Sequence, residues 1–182
     1  MSSGATIWLT GLSGAGKSTV AAALGELLGD RGLRRLVLDG DELREGLNAD
    51  LGFSAEDRAE NVRRVGEVAL LFARHDHLVL VPVISPYASG RAAVRQRHLD
   101  ARIPFVEVHV ATPLEVCEAR DPKGLYARAR AGEIARFTGV SDPYEVPSKP
   151  EVRLETDRRP PQECATELFR ALEALGVVSK RP

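Results

Sequence analysis

A run of residues near the start of the chain combines the residue types and the spacing that phosphate binding requires. Residues 11–18, GLSGAGKS, fit the pattern G-x-x-x-x-G-K-[ST] between a short apolar run and a segment with helical spacing. The glycines let backbone N–H groups turn toward phosphate oxygens, while the lysine supplies a charge and the serine a hydroxyl ligand for Mg²⁺. The pattern predicts a nucleoside triphosphate site, and an ordinary glycine-rich turn is the alternative. The predicted ATP-binding residues are Gly11, Leu12, Ser13, Gly14, Ala15, Gly16, Lys17, Ser18 and Thr19.

Two carboxylates, Asp39 and Asp41, flank a glycine directly after the second apolar run. A carboxylate in this place can hold metal-bound water or accept the proton of an attacking hydroxyl. We therefore expect Ser18 and Asp39 to bind Mg²⁺, directly or through water. We expect Lys17 and Asp41 to act in catalysis. The alternative for Asp41 is that it caps a helix that begins at the next residue.

Arginines and aromatic residues follow on the next segments. Arg44, Arg58 and one of Arg63 and Arg64 are candidates for binding phosphate or sulfate, because the planar guanidinium matches these anions with paired hydrogen bonds. The aromatic side chains of Phe53 and Phe137 could stack on a base or fill the core, and the residues alone leave both interpretations open. These features indicate a kinase with a small anionic acceptor.

Alternating apolar and helix-like segments predict the elements that position these residues. The apolar runs are residues 6–10, 35–39, 78–84, 104–110 and 152–155. Their alternation with longer segments predicts an α/β fold with a largely parallel sheet, at whose carboxyl edge ligands bind. Pro82 lies within the third run, where it would remove a hydrogen-bond donor from a central strand.

Two helices and one irregular region can be placed from local patterns. Apolar spacing predicts a helix over residues 55–74, capped by Ser54 with Asp57 three residues on, and a closing helix over residues 162–175. Residues 121–150 are rich in Gly, Pro and charge, and we expect them to form a mobile lid over the phosphates. The length favours one domain over residues 1–182.

Composition limits the partners that we expect. The 182 residues include 25 Lys and Arg against 26 Asp and Glu, so no general surface for nucleic acid is predicted. No run of eighteen apolar residues and no secretory signal is apparent, which predicts a cytoplasmic protein without a membrane span. Cys117 and Cys164 are expected to be buried, unpaired residues of a reducing compartment.

Several blocks of sequence, taken in order, resemble the adenylyl-sulfate kinase family. They are residues 39–48, 50–54, 58–64, 84–87, 121–126, 129–134, 137–139 and 142–145. The resemblance runs from about residue 4 to the predicted closing helix. It implies a three-layer P-loop NTPase fold with about five strands. The implied reaction transfers the γ-phosphoryl group of ATP to the 3′-hydroxyl of adenosine 5′-phosphosulfate (APS), giving 3′-phosphoadenosine 5′-phosphosulfate (PAPS) for sulfate assimilation.

The resemblance also implies roles for individual residues. Phe53 and Phe137 would clamp the acceptor's adenine, Arg44, Arg58 and Asn61 would hold its phosphosulfate and ribose, and Lys123 would close with the lid over the γ-phosphate. The acceptor-binding residues implied in this way are Asp41, Arg44, Phe53, Arg58, Asn61, Ile84, Ser85, Lys123 and Phe137. The family resemblance further implies a homodimer, and it leaves an association with an ATP sulfurylase open.

Alternatives remain for Ser85 and for the activity as a whole. Family descriptions assign this serine a phosphoserine intermediate, whereas direct transfer asks only that it donate a hydrogen bond at the acceptor. A serine without a neighbouring base is a weak nucleophile, which favours the second role. The rival functions are a small-molecule kinase for a sugar acid or a nucleoside monophosphate, and a non-catalytic nucleotide-binding module.

Overall fold

Five parallel strands form one sheet in the computed structural model, which describes residues 4–179. The strands are β1 (Ala5–Thr10), β2 (Arg35–Val37), β3 (Leu78–Pro82), β4 (Phe105–Val110) and β5 (Val152–Leu154). Their order across the sheet is β2-β3-β1-β4-β5, with every neighbouring pair parallel. Each predicted apolar run contributes one strand, so the parallel α/β prediction is confirmed.

Seven helices in the described residues connect and cover the strands. They are α1 (Lys17–Gly29), α2 (Gly40–Glu45), α3 (Ala55–Ala73), α4 (Ala88–Asp100), α5 (Leu114–Arg120), α6 (Leu125–Arg130) and α7 (Pro161–Ala174). Helices α1 and α7 pack together on one face of the sheet, and α3 and α4 pack together on the other. The three-layer arrangement is therefore confirmed.

The core lies on both faces of the sheet, and β1 contributes to each. Ile7 and Leu9 pack in the same cluster as Leu24 of α1, whereas Trp8, between them, packs with Val65 of α3 on the opposite face. All four apolar partners and the indole are fully buried. A strand covered on both faces can be apolar at every position, which explains the uninterrupted apolar runs.

The predicted cap of α3 is present. The side chain of Ser54 accepts a hydrogen bond from the Asp57 N–H (3.1 Å), and its hydroxyl donates to Asp57 Oδ2 (3.0 Å). This reciprocal pair satisfies an otherwise unpaired donor in the first turn. The helix ends at Ala73, one residue before the predicted end, and the closing helix α7 begins one residue early because Pro161 takes its first position.

Pro82 ends β3, and its missing N–H belongs to the side on which β2 runs. On that side the Leu78 N–H donates to Arg34 O and the Leu38 N–H donates to Leu80 O, both at 2.9 Å. Because every second residue of a parallel strand faces the same neighbour, an N–H at residue 82 would continue this ladder. Strand β2 has already ended there, so the proline interrupts no pairing within the sheet.

The region over residues 121–150 is more closely attached to the core than its composition predicts. It contains α6, and Tyr126 on this helix is buried, donates from its hydroxyl to Ser13 O (2.9 Å) and packs edge-on against Phe137. The base of the predicted lid is thus anchored to the loop over residues 11–19, and its mobility stays a prediction. Cys117 and Cys164 are buried and free, as predicted. None of the helices within residues 4–179 combines the length and apolar character that a membrane span requires.

Candidate active site

A cleft of about 1000 Å³ lies at the carboxyl edge of the sheet. Residues that follow β1, β2, β3 and β5 line it, as the rule for ligand sites in parallel sheets predicts. In the described part of the chain its cationic side chains outnumber its carboxylates, Asp39 and Asp41. The cationic residues are Lys17, Arg44, Arg58, Arg120, Lys123, Arg128, Arg136 and Arg159. This excess of positive charge suits ligands with several phosphate or sulfate groups.

The loop over residues 11–19 is shaped by glycines that a larger residue could not replace. Gly14 and Gly16 have φ angles of 72° and 95°, in the left-handed region. A Cβ at Gly14 would also lie 3.0 Å from the carbonyl oxygen of Cys117. Gly16 precedes the first residue of α1 and offers no side-chain cap, so the first N–H groups of the helix remain directed at the cleft.

Lys17 is buried at the centre of this loop. Its ammonium donates a hydrogen bond to Leu12 O (2.7 Å). Burial lowers the pKa of Lys17 to about 8, although Cys117, Asp41 and Asp39 act in the opposite direction. A desolvated cation with one carbonyl partner gains strongly from a phosphate in the same place.

The two carboxylates after β2 have separate structural roles. Asp39 caps α2, because its Oδ1 accepts a hydrogen bond from the Asp41 N–H (2.9 Å) and the helix begins at Gly40. The alternative that Asp41 caps this helix is therefore wrong, since the helix starts two residues earlier than that alternative requires. The Asp41 side chain is exposed and contacts the Lys123 ammonium, which joins the predicted lid to α2 across the cleft.

The two aromatic candidates both line the cleft but differ in burial. Phe53 is 60% exposed, and the Arg44 guanidinium lies 4.6 Å from its ring centre. Phe137 is 9% exposed and packs against Tyr126 at 4.9 Å between ring centres. Stacking on a ligand thus suits Phe53, while Phe137 is a core residue with one side on the cleft.

Arg58 connects α3 with the region over residues 121–150. Its Nε donates to Phe53 O (3.0 Å), and its terminal nitrogens donate to Thr138 Oγ1 and to Arg136 O. Asp142 adds a carboxylate 3.9 Å away. Arg58 is therefore buried and largely engaged by protein groups, which the sequence did not indicate.

The neighbouring arginines behave differently from Arg58. Arg63 pairs with Glu60 on the same helix, and Arg64 pairs with Glu60 and Asp50. Neither is among the residues that line the cleft, so the candidacy of Arg63 and Arg64 for anion binding is not supported. Asn61 does line it, and its Oδ1 accepts a hydrogen bond from the buried side chain of Asn48 (3.1 Å).

Ile84 and Ser85 follow β3, and hydrogen bonds from residues of β1 and α4 hold them in place. Ile84 O accepts a hydrogen bond from Thr10 Oγ1 (2.6 Å). Ser85 is 3% exposed, has a φ of 40°, and its hydroxyl oxygen accepts a hydrogen bond from Trp8 Nε1 (3.0 Å). Its carbonyl accepts from Arg91 (2.7 Å). A non-glycine residue in the left-handed region needs such support from its surroundings.

The cleft brings together every acceptor residue implied by the resemblance and most of the phosphate loop. Gly11, Leu12 and Ala15 of the loop do not line it, and Ala15 is instead buried in the core. The sequence missed Arg120, which donates to Gly14 O (3.3 Å) and to Thr156 O (2.9 Å). Thr156 itself follows β5. A search for polar residues after the fifth predicted strand would therefore have found Thr156.

Comparison with known proteins adds independent findings. Residues 3–155 match the family model described as adenylylsulphate kinase. An adenylyl-sulfate kinase from Paraburkholderia xenovorans is 56% identical over 97% of this chain and 97% of its own length. The bifunctional enzyme CysN/CysC of Mycobacterium tuberculosis is 59% identical over 85% of this chain, but the chain spans only 25% of that relative.

A solved structure agrees with the family model. The Mycobacterium tuberculosis APS kinase CysC, in complex with AMPPNP and APS, superposes with a TM-score of 0.92 at 56% identity, over 95% of this chain and 99% of that one. The sequence-based resemblance is confirmed by both kinds of comparison. Since the family model covers most of the residues and close relatives match nearly the full length, this chain belongs to the adenylylsulphate kinase family.

Proposed function

We propose that this protein is an ATP-dependent kinase that transfers the γ-phosphoryl group of ATP to the 3′-hydroxyl of APS and so forms PAPS for sulfate assimilation. The observation that supports the proposal best is that one cleft holds the phosphate loop and the complete set of implied acceptor residues. The related M. tuberculosis enzyme was solved with AMPPNP and APS together, a pair that corresponds to the two halves of this cleft.

In the donor half, the loop N–H groups and Lys17 bind the phosphates of ATP. Ser18 and Asp39 both line the cleft and supply the hydroxyl and carboxylate oxygens that Mg²⁺ prefers, so these residues fit the metal. When bound, the metal would neutralise charge on the phosphates. Lys17 holds the γ-phosphoryl group from the protein side, where its desolvation strengthens the attraction.

In the acceptor half, we assign the removal of the 3′-hydroxyl proton to Asp41. Its carboxylate is exposed to the cleft and contacts Lys123, which would move to the phosphates when the lid closes. Phe53 offers an exposed ring for the adenine, and Phe137 supplies the opposite wall. Arg44, Asn61 and the N–H groups of Arg58 that are not bound to the protein lie beside them, suited to the phosphosulfate and ribose.

Direct in-line transfer requires no covalent step at Ser85. Its hydroxyl is bonded to an indole N–H, and no hydrogen bond to a carboxylate or an imidazole exists for it among the described residues. We therefore assign Ser85 a hydrogen bond to the acceptor. The variant Ser85→Ala is expected to keep measurable turnover, and complete loss with normal fold and ligand binding would instead favour a phosphoenzyme.

The activity can be tested with competing acceptors. The protein is incubated with ATP, Mg²⁺ and either APS, gluconate or AMP, and the products are separated by chromatography. We expect a 3′-phosphorylated product from APS alone. Lys17→Ala serves as the inactive control, and Arg63→Gln, altered outside the cleft, as the active one. Phosphorylation of gluconate or AMP would establish the rival kinase, and no product from any acceptor would favour a non-catalytic module.

The setting of the enzyme is also proposed rather than derived from its fold. The family resemblance and the composition support a homodimer and a cytoplasmic location, and an association with an ATP sulfurylase is compatible with the resemblance. Light scattering during gel filtration would test the dimer, since the mass of one chain is 19.7 kDa.

A further inference from the structure

Trp8 makes a directional hydrogen bond to the edge of the cleft. This residue of β1 is fully buried, and its indole N–H donates to Ser85 Oγ at 3.0 Å. Its ring packs beside Phe105, with 5.9 Å between ring centres. An indole N–H can only donate, so the Ser85 oxygen must accept here. The Ser85 proton therefore has to point to a different partner.

The backbone of Ser85 is fixed by a second, independent anchor. Arg91 on α4 donates to Ser85 O at 2.7 Å and to Glu107 Oε1 at 2.7 Å. Glu107 lies opposite Trp8 in the register of β4 and β1, so the indole and the carboxylate that pairs with Arg91 stand on adjacent strands. They hold Ser85 at a φ of 40°, a conformation that a serine rarely adopts unaided.

Ser85, whose hydroxyl is held in this way, is one of the residues that line the cleft, next to Ile84 and in the same lining as the other acceptor residues. No other side chain or carbonyl within residues 4–179 forms a hydrogen bond with Ser85 Oγ. We propose that Trp8 is a positioning residue: by occupying a lone pair of the Ser85 oxygen, it directs the hydroxyl proton into the cleft as a donor to the acceptor nucleotide. This inference rests on the proposed function, because it assigns Ser85 to the acceptor half.

The proposal makes the acceptor's affinity depend on a residue that the acceptor never touches. Removing the indole N–H would let the Ser85 hydroxyl rotate, so that its proton is shared among several directions. The loss should be that of one neutral hydrogen bond, which corresponds to a change of about 3- to 10-fold in binding. ATP binding should be unchanged, because the phosphate loop has its own contacts.

The chain offers a direct spectroscopic reading of this bond. Trp8 is its only tryptophan, so a ¹H–¹⁵N spectrum contains one indole signal. We expect that signal to move when APS is added without ATP, and also in the variant Ser85→Ala, but not when AMPPNP is added alone. An indole signal that is the same in wild type and Ser85→Ala would overturn the proposal.

Kinetics provide the second test. Trp8→Phe keeps a six-membered aromatic ring and removes the donor together with the five-membered ring of the indole. It should raise the KM for APS about 3- to 10-fold with an unchanged KM for ATP. In the Ser85→Ala background, Trp8→Phe should have no further effect on that KM, because the two residues act as one unit. Additive effects of the two substitutions would contradict the proposal.

A packing control separates positioning from stability. Val79→Ala alters the same buried layer on β3 without a hydrogen bond to Ser85, so it should lower the Tm and leave the KM for APS unchanged. If Trp8→Phe fails to fold, the proposal is decided by the indole signal, which is compared between wild type and Ser85→Ala. A wild-type protein that binds APS without phosphorylating it would refute the proposed function, while the indole shift would still test the role of Trp8.

Discussion

The donor and acceptor halves of the cleft are held by different kinds of contact. The phosphate loop is tied to the core through its backbone, since Thr112 and Thr156 both donate from their hydroxyls to Ala15 O, at 2.9 and 2.7 Å. In part of the acceptor half, by contrast, side chains at the surface contact one another, as Lys123 does with Asp41 and the half-buried Arg44 with the exposed Phe53. Exposed ion pairs contribute little stability. The donor half is therefore preformed, while the surface part of the acceptor half can adjust to its ligand; Arg58 and Ser85 of that half are buried and hydrogen-bonded.

The strongest test of this contrast is to remove the central cation of the donor half. Lys17→Ala should lower kcat/KM for ATP by a factor of about 10³, because the γ-phosphoryl group loses its contact with a desolvated ammonium. Steady-state kinetics would measure the loss, and calorimetry would measure APS binding, which should stay within a factor of two. A parallel loss of APS affinity would show that the two halves are not held separately.

The burial of Lys17 should also make stability depend on pH. Its pKa is about 8 in the folded protein and 10.5 in its ordinary state. Below pH 8 the lysine is charged in both the folded and unfolded protein, and its burial penalty applies in full. Between these two values the folded protein releases the proton first, so the free energy of unfolding rises with pH, by at most about 3 kcal/mol.

This dependence is measured as a difference between two proteins. Denaturant titrations of wild type and Lys17→Met at pH 7.5 and pH 10 remove the contributions of other titrating groups. We expect the stability advantage of Lys17→Met to shrink at the higher pH. Equal differences at both pH values would mean that the pKa of Lys17 is not lowered.

In the acceptor half, Asp41→Asn should mainly slow the chemical step. We expect kcat to fall by a factor of about 10², the typical contribution of a general base, with ATP affinity almost unchanged. Glu42→Gln is the matched control, since it removes a neighbouring charge of α2 that does not line the cleft. A loss of affinity without a loss of kcat would mean that Asp41 only binds.

The smallest of these effects should be at the exposed aromatic ring. Phe53→Ala should raise the KM for APS about 10-fold through lost stacking, and should leave the Tm unchanged because the ring is 60% exposed. Phe72→Ala alters a phenylalanine of α3 outside the cleft and should not affect that KM. If both variants changed the KM equally, the stacking role of Phe53 would be wrong.

Features that depend on neighbouring residues could be predicted from the sequence, whereas features that depend on packing could not. The five strands, the cap at Ser54 and the phosphate loop depend on patterns within a few residues, so local reasoning found them. The alternative that Asp41 caps α2 was wrong. Asp39 and Asp41 both suit a cap, and only the position at which the helix begins distinguishes them. The stacking or core role of Phe137 stayed open because it depends on how α6 packs.

Contacts between distant segments could not be predicted. Trp8 and Ser85 are 77 residues apart, and Arg120 and Thr156 are 36 residues apart. The first pair meets because β1 and β3 are neighbours in the sheet, and the second because the end of α5 lies beside the residues that follow β5. The engagement of Arg58 by Thr138 likewise depends on the path of residues 121–150, for which the composition gave no guide.

Pro82 has a consequence for the shape of the cleft. Strand β3 offers no donor there, and at the same level the chain that leaves β2 turns into α2, which begins at Gly40. Gly40 passes so close to β3 at this turn that a Cβ would lie 3.0 Å from Val83 Cγ1. Asp39 and Asp41, on either side of this glycine, both line the cleft. A residue without a hydrogen-bond donor thus stands at the boundary where the pairing of β2 with β3 stops and the cleft begins.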